Sequence, residues 1–147
     1  MKLSTKGRYG ARAMLDLAMH QDSGPVNLKE MARRQVISRR YLEHLMSRLV
    51  SAGLVRSVRG RSGGFVLSRE PSEITMAEVI EALEGQINVV ECTADPSTCN
   101  RASECVTRDV WEEVSKVITR HLASITLDDL RARQQEKMRA GTAMYYI

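Results

Sequence analysis

The chain has 147 residues, enough for one domain or a domain with an appendage, and its 43% hydrophobic content can fill a packed core. No apolar run approaches the roughly 18–20 residues of a membrane span. The opening MKLSTKGRYGAR shows no secretory signal, so a cytoplasmic protein with no membrane partner is expected. The net charge of +4 hides a division, +9 over residues 1–70 and −5 over the remainder. A basic half joined to an acidic half points to a polyanion, nucleic acid first, as the partner of the first half.

Residues 5–21 repeat apolar positions Ala11, Met14, Leu15, Ala18 and Met19 at helical spacing, up to the break DSGP. Asn27 is a suitable N-cap for a short helix LKEMARRQ, and Glu30 completes a capping-box pattern with it. Ser38 caps a second helix, RRYLEHLMSRLVSAG, with an apolar face of Leu42, Leu45, Met46, Leu49 and Val50 and with Gly53 as its stop. Two short helices about four residues apart form a helix-turn-helix pattern whose second member is the reader. Residues 54–58 and 65–67 favour strands on either side of RGRSGG, which predicts a hairpin wing carrying Arg56, Arg59, Arg61 and Arg69 on or beside it.

Thr75 caps a helix MAEVIEALEG, which stops at Gly85. The segment VVECTADPSTCNRASEC follows and is expected to be a polar loop without regular structure. A long helix then runs from about Val106 to Ser124. Its narrow seam of Val106, Val110, Val114, Val117, His121 and Ser124 fits pairing with a twin helix or an ordinary core stripe. Thr126 caps a last helix, LDDLRARQQEKM, and the tail RAGTAMYYI is expected to be loose. The predicted fold class is mostly α with a small β-hairpin wing. A winged helix-turn-helix domain spans 1–86, a cysteine cluster loop 87–106, and a dimerisation helix with a C-terminal helix 107–140.

Such a fold binds double-stranded DNA in three ways. Cations neutralise phosphates, the reading helix reaches base edges, and wing arginines enter the minor groove. Lys6 and Arg8 suit phosphates, with Lys2 and Tyr9 nearby. Ser38, Arg39, Arg40, Tyr41, Glu43 and His44 occupy the first turns of the reader. Arg40 can bond guanine O6 and N7, and Glu43 can accept from a cytosine amine. Arg59 and Arg61 lie at the wing tip. No Cys–His–carboxylate arrangement and no phosphate-cradling glycine motif before a helix are visible, so an enzyme is not expected.

All three cysteines, Cys92, Cys99 and Cys105, fall in one 14-residue window as Cys-x6-Cys-x5-Cys. An odd count argues against a disulfide framework. The pattern fits an iron–sulfur cluster, a zinc ion with a fourth ligand, or a thiol-redox switch. Asp95 and Glu104 are candidate fourth ligands within the loop, with Glu91 beside them.

The segments MKLSTKGRYGARAMLDLA, ISRRYLEHLMSRLVSAGLVRSVRGRSGGFVLS and AEVIEALEG, together with the three-cysteine loop, resemble the bacterial iron–sulfur regulator family of IscR, NsrR, RirA and CymR, nearest to IscR. The resemblance implies a homodimeric winged helix-turn-helix repressor or activator on a two-fold operator, carrying a 2Fe–2S or 4Fe–4S cluster on the three cysteines. It implies that the long helix forms the dimer interface and crosses to the partner, that Arg59 is the minor-groove arginine, and that Arg40, Glu43 and His44 read bases. Arg40 and His44 stand where IscR-like members keep serine and glutamine. The first cysteine spacer is one residue longer than usual. The family's fourth ligand, a histidine after the last cysteine or an N-terminal aspartate from the partner, is replaced here by Arg108 and Arg8, neither of which can ligate.

Overall fold

The structure, a computed structural model, describes residues 2–145. Helix α1, Thr5–His20, starts where the Ser4 hydroxyl accepts the Lys6 amide at 3.1 Å. Its deepest side chains are Ala13, Met14, Leu17 and Ala18, whereas Ala11, Leu15 and Met19 are only half-buried. The single stripe expected from the sequence is too narrow because α1 is the central helix. It packs against α2 (Leu28–Gln35), α3 (Arg39–Ser51), α4 (Met76–Glu84), α7 (Leu127–Tyr145) and strand β2 (Gly64–Leu67). Gly7 and Gly10 make the closest of these approaches possible, since a Cβ on Gly10 would run into the Leu83 side chain.

Asn27 caps α2 through the Lys29 amide at 2.8 Å, but Glu30 does not close the expected capping box. Its carboxylate turns outward to Arg33 at 2.9 Å, a partner on the same helix face. Helix α2 ends at Val36 in the left-handed conformation, φ 54° and ψ 48°. Ser38 then caps α3 by accepting the Tyr41 amide at 3.1 Å. Leu42, Leu45, Met46 and Leu49 of α3 are fully buried. The helix stops at Gly53, φ 76°, where the Gly53 amide donates to Val50 and the Leu54 amide to Leu49, both at 3.0 Å. That pair of bonds satisfies carbonyls the helix end would otherwise leave open.

Strand β1, Val55–Val58, pairs antiparallel with β2, from Val55 opposite Leu67 to Val58 opposite Gly64. The wing is hooked to the turn before α2 by reciprocal bonds of 2.9 Å between Val26 and Phe65. Gly64 permits that contact, because any Cβ there would strike the Val26 backbone. Helix α4 carries a capping box between Thr75 and Glu78 and stops at Gly85, φ 84°.

The segment expected to lack regular structure contains a short helix, α5 (Glu91–Ala94), and a 3-10 turn, Pro96–Thr98. Proline as the first residue of the turn and Asp95, which accepts from the Ser97 amide and hydroxyl, provide the local bonds for it. Helix α6, Val106–Ala123, follows. The chain then returns to the first half, with the Met76 amide donating to Ile125 at 2.8 Å and the Leu127 amide to Ile74 at 2.9 Å. Leu127 is fully buried in the core. Helix α7 continues through residues 139–145, which were expected to be loose, while Tyr146 and Ile147 lie outside the described residues. That stretch holds good helix formers, and Gly141 costs only about 1 kcal/mol in a helix interior.

Val36 is a β-branched residue with positive φ and is 89% exposed, so no packing rewards the conformation. Val36→Asn, which suits left-handed backbone, is expected to raise stability by about 1 kcal/mol in urea unfolding with an unchanged slope.

Candidate DNA interface and cysteine segment

The reading helix begins at Ser38, whose hydroxyl oxygen is engaged by the Tyr41 amide. Arg39, Arg40, Glu43 and His44 stand exposed on the turns beyond it. Arg39 and Glu43 face each other at 3.5 Å. Ser38, Arg40, Tyr41 and His44 line one shallow hollow, which brings four of the residues singled out for base contact onto one surface. Tyr41 is turned differently from its neighbours. Its ring meets Tyr9 edge-on at 6.1 Å, and its hydroxyl lies 3.1 Å from that of Thr5. It ties the start of α1 to the reader.

Arg8 is exposed and Lys6 half-buried in the first turn of α1. The Arg8 and Arg12 guanidiniums lie 5.9 and 5.3 Å from the Tyr9 ring centre. At the wing tip Arg59 and Arg61 are exposed, on either side of Gly60 with φ 112°. Arg69 is not free for phosphate, because it donates to Glu78 at 2.7 Å and to the Glu73 carbonyl at 2.9 Å.

The orientation of α2 is fixed by a group absent from the sequence reading. Asp16 on α1 is 1% exposed and receives Arg34 through two bonds, 3.0 and 2.7 Å, and Gln35 at 2.9 Å. Arg12 reaches across to the Gln35 side chain and carbonyl. The Arg34 guanidinium is held above its ordinary value chiefly by its hydrogen bonds to Asp16, against a partial burial that works the other way. An aspartate at a helix position flanked by Leu15 and Leu17 reads as a surface residue, and only the register of α2 shows otherwise.

Glu84, the last residue of α4, likewise went unread. Its Oε1 accepts from the Ser4 and Gly7 amides, both at 3.0 Å, and from the Ser4 hydroxyl. Burial pushes this carboxyl up, but the Ser4 hydroxyl and the two amides, with the Lys6 charge, hold it below its ordinary value. Its contribution to stability is therefore present at neutral pH and lost as pH falls through that lowered value.

Cys92 lies in α5, Cys99 at the end of the 3-10 turn, and Cys105 immediately before α6. All three are free and half-buried. The Cys105 thiol is held below its ordinary value by the Thr107 hydroxyl at 3.2 Å, with the Arg108 and Thr107 amides of the helix start adding to it. Arg108 donates its Nε to the Cys92 carbonyl at 2.9 Å and faces Glu112 at 3.5 Å. A second fastening joins the Val89 amide to Ser115, which is buried on α6, at 3.0 Å. Asp95 and Glu104 are exposed. Among the described residues no three Cys, His, Asp or Glu side chains converge as a metal site.

On α6 the seam residues Val106, Val110, Val114 and Val117 are between 37 and 74% exposed, and only Ser115 of the whole helix is buried. No described helix is long and apolar enough to cross a membrane.

A capped reader on a short helix pair, an arginine-tipped hairpin and a basic first half define a winged helix-turn-helix DNA-binding protein. Comparison with known proteins agrees. Residues 3–133 match the family model described as Rrf2, iron-dependent transcriptional regulator. The chain is 44% identical over 135 residues to the HTH-type transcriptional regulator IscR of Photorhabdus laumondii, covering 92% of this chain and 82% of that one. Among solved structures it is similar to IscR of T. potens, at 44% identity and a TM-score of 0.77 over 93% of this chain and 90% of that one. It is also similar to CymR, the global cysteine regulator of B. subtilis, at 41% identity and a TM-score of 0.75 over 90% and 98%. The chain belongs to the Rrf2 family of transcriptional regulators, and it is not an enzyme.

Removing the Asp16 charge would leave Arg34 partly buried and without its partner. Asp16→Asn is expected to cost about 2–3 kcal/mol in urea unfolding, below the full effect of a sealed ion pair because Arg34 keeps some water.

Proposed function

We propose that the chain is a homodimeric regulator whose affinity for a two-fold operator is set by an iron–sulfur cluster on Cys92, Cys99 and Cys105. The observation that carries this reading is the placement of three uncommitted thiols in one segment. That segment is fastened to α6 on one side and continues into α4 on the other. The donor set fits iron in kind, because thiolates are what such clusters take. The match to a family described as iron-dependent, and to relatives named IscR, supports it. When bound, a cluster supplies iron–thiolate bonds that oxygen, nitric oxide or scarcity of iron can remove. Whether its gain raises or lowers DNA affinity is the measured outcome.

In this reading residues 1–86 bind DNA, 87–106 hold the cluster, and 107–140 join the subunits. Lys6 and Arg8 take phosphates, and Ser38, Arg39, Arg40, Tyr41, Glu43 and His44 form the major-groove surface, with Tyr41 also bracing it. Arg59 and Arg61 take the minor groove. The valine seam of α6 supports the dimer, since it is left open to solvent in the single chain. Arg108 and Arg8 cannot ligate, so the fourth position falls to Asp95, Glu104, or a water or small thiol. Such a site is open and labile.

Two measurements test this. Arg59→Ala should weaken binding to a selected operator by about 1–3 kcal/mol and lower its preference over bulk DNA, whereas Lys6→Ala should weaken all sequences alike and reduce the salt slope by about one. Unchanged operator binding by Arg59→Ala would remove the wing from the interface. Anaerobic reconstitution with iron and sulfide quantified should load the wild type and fail in the triple cysteine-to-serine variant, and spectra should shift in either Asp95→Asn or Glu104→Gln if that carboxylate ligates. A histidine-ligated spectrum would overturn the open, non-histidine fourth position, and no iron in the wild type would leave zinc or thiol redox chemistry as the reading of the cysteines.

A further inference from the structure

We propose that Glu84 is a positioning residue that sets the DNA-reading head and transmits to it the state of the cysteine segment. The second half of this statement rests on the cluster-control reading above. Glu84 touches no expected DNA contact, but it sits where three parts of the molecule meet.

On the α1 side, one oxygen collects three donors from the first turn, the Ser4 amide, the Ser4 hydroxyl and the Gly7 amide. A carboxylate from another helix thereby covers open amides at the positive end of α1. The approach is built in, since a Cβ at Gly7 would lie 2.8 Å from that oxygen. The same turn carries Lys6 and Arg8, and its Thr5 hydroxyl lies 3.1 Å from that of Tyr41 on the reader. On the α3 side, Arg48 donates to the Leu83 carbonyl at 3.2 Å. The reading helix is thus bonded at its C-terminal end to the residue beside Glu84.

On the third side, Gly85 turns the chain out of α4 toward Cys92, and the intervening Val89 is bonded to α6. Glu84 is the last residue of α4 before the chain turns toward the cysteines, and it also bonds to the start of α1. The geometry makes this end of α4 sensitive to small movements. The two amide bonds are 3.0 Å long. A displacement of about 0.6 Å away from α1 takes them past the range of a hydrogen bond, and both are lost together because they share one acceptor. Loss frees the first turn of α1, and with it the phosphate contacts and the brace on Tyr41.

The test uses the full chain and a duplex selected by the wild-type protein from a random-sequence pool. Affinity is read by fluorescence anisotropy for wild type, Glu84→Gln, Glu84→Ala and Glu84→Asp, each cluster-free and after anaerobic reconstitution, with thermal melts as a check on folding. In the cluster-free arm Glu84→Ala is expected to lose about tenfold in affinity for the selected duplex and less for bulk DNA, which depends on the freed phosphate contacts but not on the brace at Tyr41, a coupling of ordinary size. Glu84→Gln should retain most of it, since its amide oxygen still accepts. The ratio of reconstituted to cluster-free affinity should shrink toward one in Glu84→Ala. Wild-type affinity in cluster-free Glu84→Ala would overturn the positioning role whatever the cluster does. A weakened Glu84→Ala with an undiminished ratio would overturn the transmission alone. A wild-type ratio of one would overturn the cluster-control reading and the transmission with it, leaving the positioning role to the cluster-free arm. Should Glu84→Ala fail to fold, Glu84→Asp, one methylene too short to keep the Ser4 and Gly7 amides, decides both points by the same criteria, wild-type affinity overturning the positioning role and an undiminished ratio the transmission.

Discussion

The closeness of α1 to α4 is the constraint on which the remaining geometry depends. Gly7 and Gly10 leave no side chain on the α1 surface facing α4, so the Leu83 and Glu84 side chains lie directly on the α1 backbone. A larger residue at either position would push α4 outward. The shift would spread to everything anchored at its ends, namely the Thr75 cap with its bridge to residues 125–127 and the turn into the cysteine segment. Because interiors are close-packed and stiff, such a displacement is passed on rather than absorbed.

Around α1, two polar fastenings do what apolar contact cannot. Leu17, Leu45 and their neighbours drive burial, but a greasy interface permits sliding and rotation. Asp16 with Arg34 fixes the angle of α2, and the Tyr41–Thr5 and Tyr41–Tyr9 contacts fix the reader against the first turn of α1. Bidentate geometry at Asp16 supplies direction as well as energy. Net stabilisation from a buried pair is small, so orientation is the better explanation of why an aspartate occupies this position. A reading helix misplaced by an ångström would lose the base contacts proposed for it while the fold remained intact.

Much of this was legible in the sequence for a physical reason. Caps, glycine stops and apolar spacing are local, and Ser38, Asn27, Thr75 and Gly53 mark helix ends that the structure shows within a residue. The winged fold and the exposed arginines followed from them. What escaped were contacts between residues distant in sequence. Glu84 and Gly7 are 77 positions apart and Asp16 and Arg34 are 18 apart, and no periodicity links them. Glu30 and the tail failed for the opposite reason. A local pattern allowed two outcomes, and the nearer partner, Arg33 for Glu30 and the next helical turn for residues 139–145, prevailed. In the cysteine segment, the loop signals of proline and small polar residues were real but compatible with one helical turn.

Arg108 gives the cysteine segment its particular character. A guanidinium stays protonated and cannot donate a lone pair to a metal, so this residue serves as a tether and not as a ligand. Its bond to the Cys92 carbonyl draws the first cysteine toward the helix that begins after the third. The Thr107 hydroxyl and the amides at the start of α6 hold the Cys105 thiol below its ordinary value, and the Arg101 charge acts in the same sense. The segment is thus tied to α6 at both its first and its last cysteine. In the proposed reading, a fourth position left without a protein ligand would be open to the solution, which is where a molecule that must respond to its surroundings would need it.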